Sequence, residues 1–485
     1  MLQCGNGMLI LSTAARLSCV LNFRQPSRLL IFNEEFIEMI RRPVRALTAT
    51  LLLCALIFTA GHAQTPDKGK LDQFFNRLAE KNKAMGSLTL TKDNNIFYSR
   101  AIGYSEITSN EKKPASEATR YRIGSITKMF TAAMIFQLIE ENKLKLTDTL
   151  DKFFPEIPNA QKITLAQMLG HRSGIFNITE DPDFRSSKTQ AKTRDEMVAL
   201  IAKAKPAFEP GEKFQYSNSN YVLLGYIVEK AGGRSYEDAL KQRITSKIGL
   251  KDTYLGTGYP EASKNEAFSY NFISDWKQES DSHLSIPGGA GAIISTPNDL
   301  TKFIQALFDG KIVSKESLEQ MKPREKYGLG ISSYPMSGKT FYGHSGGIDG
   351  FRSLLLYLPE EKLSFAYTSN GVNYPMNNIV SGVLDLYWNK PFEIPTFETV
   401  AVSPEVLDKY VGVYSSPEVP FKLTITRDKS TLVAQPTGQP AFPLEAIAEN
   451  KFKLESRGAV LEFDAAKTQL TFKRGGRDVL FTKEN

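Results

Sequence analysis

Apolar positions recur at helical spacing over residues 71–82, and residues 86–98 and 104–107 read as strands. A strongly apolar helix is expected over 125–141, with further helical stretches at 165–169, 197–204 and 221–231. Glycine-rich residues 288–296 lead into a helix over 297–308, for which Thr296 is a natural cap. Core strands are expected at 327–333, 351–358 and 363–369, and a last helix at 377–388. Strands at both ends of a helix-rich middle predict an α+β domain, an antiparallel sheet packed against a helical cluster.

The texture changes near residue 392. Pro391, Pro395 and Pro404 punctuate a short stretch, and beyond it short segments alternate apolar and polar residues: 410–414, 421–427, 431–435, 451–454, 460–464, 470–473 and 479–482. Turn residues such as Asp428-Lys429 and Gly475-Gly476 separate several of them. The expected organisation is a leader over 1–64, an α+β domain over 65–392, a linker over 393–403, and an antiparallel β barrel or sandwich over 404–485.

Composition narrows the function classes. With 41% hydrophobic and 23% charged residues, the 485-residue chain has the makeup of a globular protein with ample core. Six arginines and three glutamates lie in residues 1–64, so the remainder carries only +4 of the formal +7. No basic block exists to bind nucleic acid, and none is expected as a partner. Cys4, Cys19 and Cys54 all precede residue 65, so a processed chain has no thiol for a disulfide, a nucleophile or a zinc ligand. His62, His171, His283 and His344 form no metal-binding spacing, and neither metal nor cofactor is expected.

Residues 41–64 place three arginines before an apolar run from Ala46 to Ala60, followed by Gly61-His62-Ala63. This is the layout of a secretory signal peptide cleaved after Ala63, and the run is short of the roughly 20 residues a spanning helix needs. Export to the periplasm or beyond is therefore expected, with no membrane span in the mature protein. Met39-Ile40-Arg41-Arg42 makes a normal start for such a leader, so translation is expected to begin at Met39.

Three motifs carry candidate chemistry. In Gly124-Ser125-Ile126-Thr127-Lys128-Met129, the i,i+3 spacing puts Ser125 and Lys128 on one helical face. A serine hydroxyl needs a neighbour to take its proton, and a lysine serves only when neutral, a state that burial and a helix N-terminus both favour. Alone, this spacing is common by chance. Tyr216-Ser217-Asn218 offers a phenol and an amide just before a helix, and Tyr342-Gly343-His344-Ser345-Gly346-Gly347, expected between two strand-like segments, offers an imidazole and glycines that let a backbone approach a ligand. Two lookalikes fail: Ser337-Gly338-Lys339-Thr340 has Ser333 where a phosphate-binding loop needs glycine, and Gly288–Gly291 lacks dinucleotide-binding spacing.

In order and spacing, the three motifs resemble those of the penicillin-recognising serine hydrolases: class C β-lactamases, D-alanyl-D-alanine carboxypeptidases, and related esterases and D-aminopeptidases. The resemblance extends through 163–175 (ITLAQMLGHRSGI), 214–232 (FQYSNSNYVLLGYIVEKAG) and 288–300 (GGAGAIISTPNDL). It implies a β-lactamase/transpeptidase-like domain in which Ser125 is acylated with Lys128 as its base. It also implies that Tyr216 relays a proton to the leaving group and that Asn218 contacts substrate. His344 takes the first position of the lysine-threonine-glycine element, with Gly346 and Gly347 beside the substrate. The oxyanion hole falls to the backbone N–H groups of Ser125 and Gly347. Many β-lactamases have lysine where this chain has His344, whereas carboxypeptidase-like and D-aminopeptidase-like members often have histidine.

The expected activity is hydrolysis through an acyl-serine intermediate, of the D-alanyl-D-alanine carboxypeptidase, D-peptidase or esterase kind. The partner is a small or peptide acyl substrate, with peptidoglycan-derived peptides in view. A slowly turning β-lactamase is the alternative within the class, and a non-catalytic binding protein on the same fold is the alternative outside it. Oligomeric state is not written in the sequence.

Overall fold

A computed structural model describes residues 66–484. The expected leader, signal peptide and Met39 start lie outside the described residues. A six-stranded antiparallel sheet organises the first domain. Its strands are Ala84–Lys92 (β1), Asn95–Ile102 (β2), Ser332–Met336 (β3), Lys339–Ile348 (β4), Phe351–Leu358 (β5) and Leu363–Val372 (β6), in the order β3-β4-β5-β6-β1-β2. Strands from both ends of the domain thus meet in the middle, where β1 pairs with β6 along its full length.

Both faces of the sheet are covered, and side-chain alternation divides them. Leu354, Leu356 and Leu358 of β5 pack with Leu71, Phe74 and Leu78 of the helix Lys68–Glu80 (α1) and with residues of Met376–Tyr387. Leu355 and Tyr357 point the other way, into the helical cluster. At the centre of that cluster lies Thr127–Glu140 (α2), buried on nearly every side, as its uniformly apolar sequence requires. Asn218–Gly232 (α3) packs on it, and Pro297–Phe308 (α4) lies between it and the sheet. The Thr296 cap on α4 forms as expected, its hydroxyl accepting the Asp299 N–H at 3.3 Å.

Three readings of the first domain change. The single strand expected over 86–98 is the hairpin β1–β2, because Asp93 and Asn94 both take positive φ (50° and 65°), the geometry of a tight hairpin turn. The strand expected over 327–333 begins only at Ser332, since Tyr327–Gly330 form a loop against α2. The Gly343–Gly347 motif lies inside β4 rather than between two strands.

Past Ser403 the chain forms a closed eight-stranded antiparallel barrel around its own apolar core. Its strands run Gly412–Ser415, Leu423–Asp428, Thr431–Pro436, Phe442–Ala448, Lys451–Leu454, Ala459–Asp464, Gln469–Arg474 and Arg477–Lys483, and the first pairs with the last. The strand missed in the sequence is Phe442–Ala448, whose Pro443, Leu444, Glu445 and Ala446 do not favour a strand locally; closure of the barrel overrides that preference. Lys83, at the entry to β1, ion-pairs with Glu445 of the barrel, and its ammonium lies 4.7 Å from the Phe397 ring centroid. Among the described residues, no helix is long and apolar enough to cross a membrane.

Candidate active site

The site forms where the N-terminus of α2, the N-terminus of α3 and the far end of β4 converge. Ser125 occupies a short 3-10 turn, Gly124–Ile126, that feeds directly into α2. Two glycines make the convergence possible. Gly124 has φ +52°, and a Cβ there would lie 2.8 Å from Gly347 N. A Cβ on Gly346 would lie 2.0 Å from the Ile123 carbonyl oxygen and 2.2 Å from Ser353 Oγ. Only glycine lets β4 run against the backbone that carries Ser125.

Lys128 lies in the first turn of α2, three residues after Ser125, and is fully buried. Its Nζ is 2.9 Å from Ser125 Oγ, 2.9 Å from Asn218 Oδ1 and 2.8 Å from the Ala290 carbonyl oxygen. Burial holds its pKa well below the usual lysine range. A neutral amine has two hydrogens and one lone pair. Asn218 Oδ1 and the Ala290 carbonyl can only accept, so they take the two hydrogens and the lone pair faces the Ser125 hydroxyl. Asn218 is held in that orientation from behind, its Nδ2 donating to Thr179 Oγ1 at 3.1 Å and its backbone N–H to Asn177 Oδ1 at 3.0 Å. The Asn218 amide oxygen is therefore committed to Lys128, although the residue still lines the adjoining cavity.

Tyr216 donates its phenol to Ser125 Oγ at 2.9 Å, and its ring centroid is 5.0 Å from Lys128 Nζ. Burial raises the Tyr216 pKa, which keeps the phenol a donor. Ser125 Oγ thus has a base on one side and an acid on the other. Chemically, the arrangement can draw a proton from a nucleophilic hydroxyl and return one to a departing group.

His344 sits close by but is spent differently. It is 4% exposed, its Nδ1 is 2.5 Å from the Ser345 carbonyl oxygen and its Nε2 is 3.2 Å from Tyr327 Oη. Its ring centroid is 6.4 Å from that of Tyr216, and both nitrogens are occupied away from Ser125. Burial, and the positive charge of Lys128 where present, push its pKa down to about 3.

Two further groups of residues escaped the sequence reading. His171 is fully buried, with its ring 4.3 Å from that of Tyr216. It follows the helix Leu165–Leu169 in a Schellman turn: Arg172 N–H reaches the Gln167 carbonyl at 2.7 Å and His171 N–H the Met168 carbonyl at 3.2 Å. His171 fills the left-handed slot of that turn (φ +54°), where glycine is usual and another residue costs about 1–2 kcal/mol. The available signal was a histidine one place after Gly170, in the position a glycine would normally take. The second group fixes the cavity wall. The buried Asp349 carboxylate accepts from Ser282 N–H at 2.8 Å, Ser282 Oγ at 2.7 Å and Lys188 Nζ at 2.8 Å, tying three chain segments together.

Beside Ser125 opens a cavity of about 180 Å³, lined largely by Ile178, Phe184, Met197, Val222 and Ile286. An engineered apolar cavity of about 150 Å³ holds benzene, so this one has room for a phenyl-sized group. No Asp or Glu lines it, but two cations do: Lys188, whose ammonium pairs with Asp349, and Arg185, whose Nε donates to the Thr179 carbonyl at 2.7 Å. Among the described residues, no cluster of His, Cys, Asp and Glu is arranged to hold a metal.

A family model described as Beta-lactamase matches residues 71–382. The chain belongs to the beta-lactamase family. Its members among the relatives are serine hydrolases, and this chain is one by family and fold. It is 27% identical to penicillin-binding protein 4* of Bacillus subtilis (strain 168) over 449 residues, covering 84% of this chain and 97% of that protein. Among solved structures, D-amino acid amidase from Ochrobactrum anthropi SV3, complexed with L-phenylalanine amide, superposes with a TM-score of 0.59 at 26% identity, covering 66% of this chain and 98% of that one. The octameric penicillin-binding protein homologue from Pyrococcus abyssi also gives a TM-score of 0.59, at 27% identity, over 86% of this chain and 100% of that one.

Proposed function

We propose that this beta-lactamase-family protein is an exported amidase, peptidase or esterase that cleaves D-amino-acid-type substrates through an acyl-Ser125 intermediate. The observation that carries the reading is the double contact on Ser125 Oγ: Lys128 Nζ and Tyr216 Oη, each at 2.9 Å. Neutral Lys128 takes the hydroxyl proton as Oγ adds to the scissile carbonyl carbon. The resulting oxyanion faces the backbone N–H groups of Ser125 and Gly347; donors of this kind are worth roughly 10²–10³ in rate. When the C–N or C–O bond breaks, the protonated Tyr216 phenol gives the leaving group its proton and recovers one from Lys128. Water then attacks the acyl carbonyl by the same route and releases the acid.

The cavity bears on substrate choice. Its apolar walls favour an uncharged, bulky acyl group. His344, neutral and bonded through both nitrogens, offers no charge to a substrate carboxylate. That weighs toward amides, esters and internal peptide bonds over β-lactams and over the C-terminal carboxylate a carboxypeptidase must hold. The likeness to D-amino acid amidase points the same way. Export rests on the sequence layout of residues 41–64.

The test is a panel of a D-phenylalanine amide, a p-nitrophenyl ester, a D-Ala-D-Ala peptide and a fluorescent penicillin, given to wild type, Ser125→Ala and Lys128→Ala. Wild type is expected to turn over the amide and ester faster than the carboxylated substrates, and both variants are expected to lose acylation. A wild type that turns over none of the four and forms no adduct refutes the reading.

A further inference from the structure

Behind Tyr216 a line of hydrogen bonds crosses the domain through three side chains. His171 Nδ1 accepts the Ser217 N–H at 3.2 Å, His171 Nε2 and Tyr327 Oη lie 3.1 Å apart, Tyr327 Oη and His344 Nε2 lie 3.2 Å apart, and His344 Nδ1 meets the Ser345 carbonyl at 2.5 Å. Both ends are backbone groups whose roles cannot change: Ser217 N–H only donates and the Ser345 carbonyl only accepts. Each of the three side chains carries one exchangeable hydrogen when neutral. One arrangement satisfies every link. His171 holds its hydrogen on Nε2 and gives it to Tyr327, Tyr327 gives its own to His344 Nε2, and His344 gives the hydrogen on Nδ1 to Ser345. A proton added to His171 would set an N–H against the Ser217 N–H. A proton added to His344 would set one against the Tyr327 hydroxyl, which would then have to turn toward Tyr221.

The same histidine grips Tyr216 from both sides. Its carbonyl accepts the Gln215 N–H at 2.9 Å, its Nδ1 takes the Ser217 N–H, and its ring lies beneath the Tyr216 phenol. A glycine in the left-handed slot of the turn would relieve the backbone and leave Tyr216 without this support.

We propose that His171 and Tyr327 are positioning residues for acyl transfer, forming with His344 a neutral, one-directional hydrogen-bond chain that clamps Tyr216 against Ser125 and keeps a second positive charge away from Lys128. This rests on the acyl-serine reading above. The titratable groups facing the chain are Lys128 on α2, Tyr216 ahead of α3, Tyr221 on α3 and Tyr334 on β3. Burial raises the Tyr216 and Tyr221 phenols, so among the buried groups Lys128 and the two imidazoles are the ones whose charge matters at working pH.

The full-length chain carrying Tyr327→Phe, His171→Ala or His171→Asn tests it, with Ser125→Ala as control. Phenylalanine keeps the ring and removes only the hydroxyl that joins the two histidines. Acylation by the p-nitrophenyl ester, followed from about pH 5 to 9, is expected to lose about tenfold in kcat with KM unchanged, the scale of one positioning hydrogen bond. The acidic limb should move up as His344 regains an imidazole pKa nearer the ordinary value of about 6.5. His171→Asn, which tolerates left-handed backbone and retains an acceptor for Ser217 N–H, should recover part of the kcat that His171→Ala loses. Imidazole proton NMR reads the chain independently of turnover: neither His171 nor His344 should titrate between about pH 5 and 8 in wild type, and His344 should do so in Tyr327→Phe. Wild-type kcat and an unmoved acidic limb in Tyr327→Phe overturn the proposal, as does a His344 that titrates near neutrality in the wild type. If wild type shows no adduct that Ser125→Ala abolishes, the acyl-serine reading fails instead, while the NMR titration still decides whether the chain is neutral and directional.

Discussion

Replacing Gly346 by alanine adds one carbon at the tightest point of the site. That carbon would lie 2.0 Å from the Ile123 carbonyl oxygen and 2.2 Å from Ser353 Oγ, more than an ångström inside normal contact with each. Neither neighbour can yield easily. Ile123 is fixed because its N–H is bonded to the Ile293 carbonyl at 3.1 Å and the residue leads straight into Ser125. Ser353 is fixed because its hydroxyl donates to that same Ile123 carbonyl at 2.8 Å. The strain must therefore go into sliding β4 away from the Ser125 turn, which moves Gly347 N from its place beside Gly124. Overpacking of this kind costs about 1–3 kcal/mol of stability, so the variant should fold with a lowered Tm. A displacement of about 1 Å at a reacting centre costs about 10²-fold in rate. Acylation by the p-nitrophenyl ester, measured at saturating substrate and well below the variant's Tm, should fall by that order with binding little changed. A folded Gly346→Ala protein acylating at the wild-type rate would refute the claim that the close approach of β4 to Ser125 sets the geometry of acyl transfer.

Two other outcomes follow from the burial of the site. His344 has an ordinary pKa of about 6.5 when unfolded and about 3 when folded, so between those values the unfolded chain binds the extra proton. Its contribution to stability is present above about pH 6.5 and is lost as pH falls, by about 2 kcal/mol at pH 5; urea unfolding of wild type against His344→Asn should show the variant's stability falling less from pH 7 to 5, and parallel curves would contradict the assignment. Val222 lies one turn beyond Asn218 on α3 and lines the cavity, so Val222→Phe should fill it; kcat/KM for a phenylacetyl ester should drop about 10–100-fold relative to an acetyl ester, and an unchanged ratio would place the acyl group elsewhere.

Much of this was legible in the chain because the period of apolar positions is local. The alternation in β5 separates Leu354, Leu356 and Leu358 from Leu355 and Tyr357, and the unbroken apolar run of α2 marks a helix with no solvent face. The pairing of Ser125 with Lys128 was equally local, fixed by one helical turn. Most of what escaped was the product of distance in sequence. Asp93-Asn94-Asn95, by contrast, carries a local turn signal, since Asp and Asn tolerate left-handed backbone, and reading one strand over 86–98 passes over it; the pairing of Lys92 with Asn95 shows the hairpin. The fourth barrel strand, Phe442–Ala448, is held by ladders to both neighbours and not by its own residues. His171 lies 156 residues before Tyr327 and Tyr327 17 before His344, and His171 and Tyr327 alone look like an ordinary buried imidazole and aromatic.

The common property of the groups around Ser125 is the absence of fixed charge. Lys128 is neutral because burial disfavours its ammonium, and its two hydrogens are taken by oxygens that cannot return one. His171 and His344 are kept neutral by burial and by partners that leave no room for another proton. Lys188, which lines the cavity together with Arg185, pairs with Asp349, which also holds Ser282 in the cavity wall. The groups around Ser125 thus have no fixed charge with which to grip a carboxylate in the ground state; the cations Arg185 and Lys188 lie on the adjoining cavity wall. In the proposed acyl transfer the stabilisation falls where the reaction creates charge, at a carbonyl oxygen set between the Ser125 and Gly347 N–H groups, and interactions that strengthen only in the transition state are the ones that raise kcat. The histidine in place of lysine in the β4 motif fits that pattern: a charged lysine there would push the Lys128 pKa lower still and make it a weaker acceptor for the Ser125 proton.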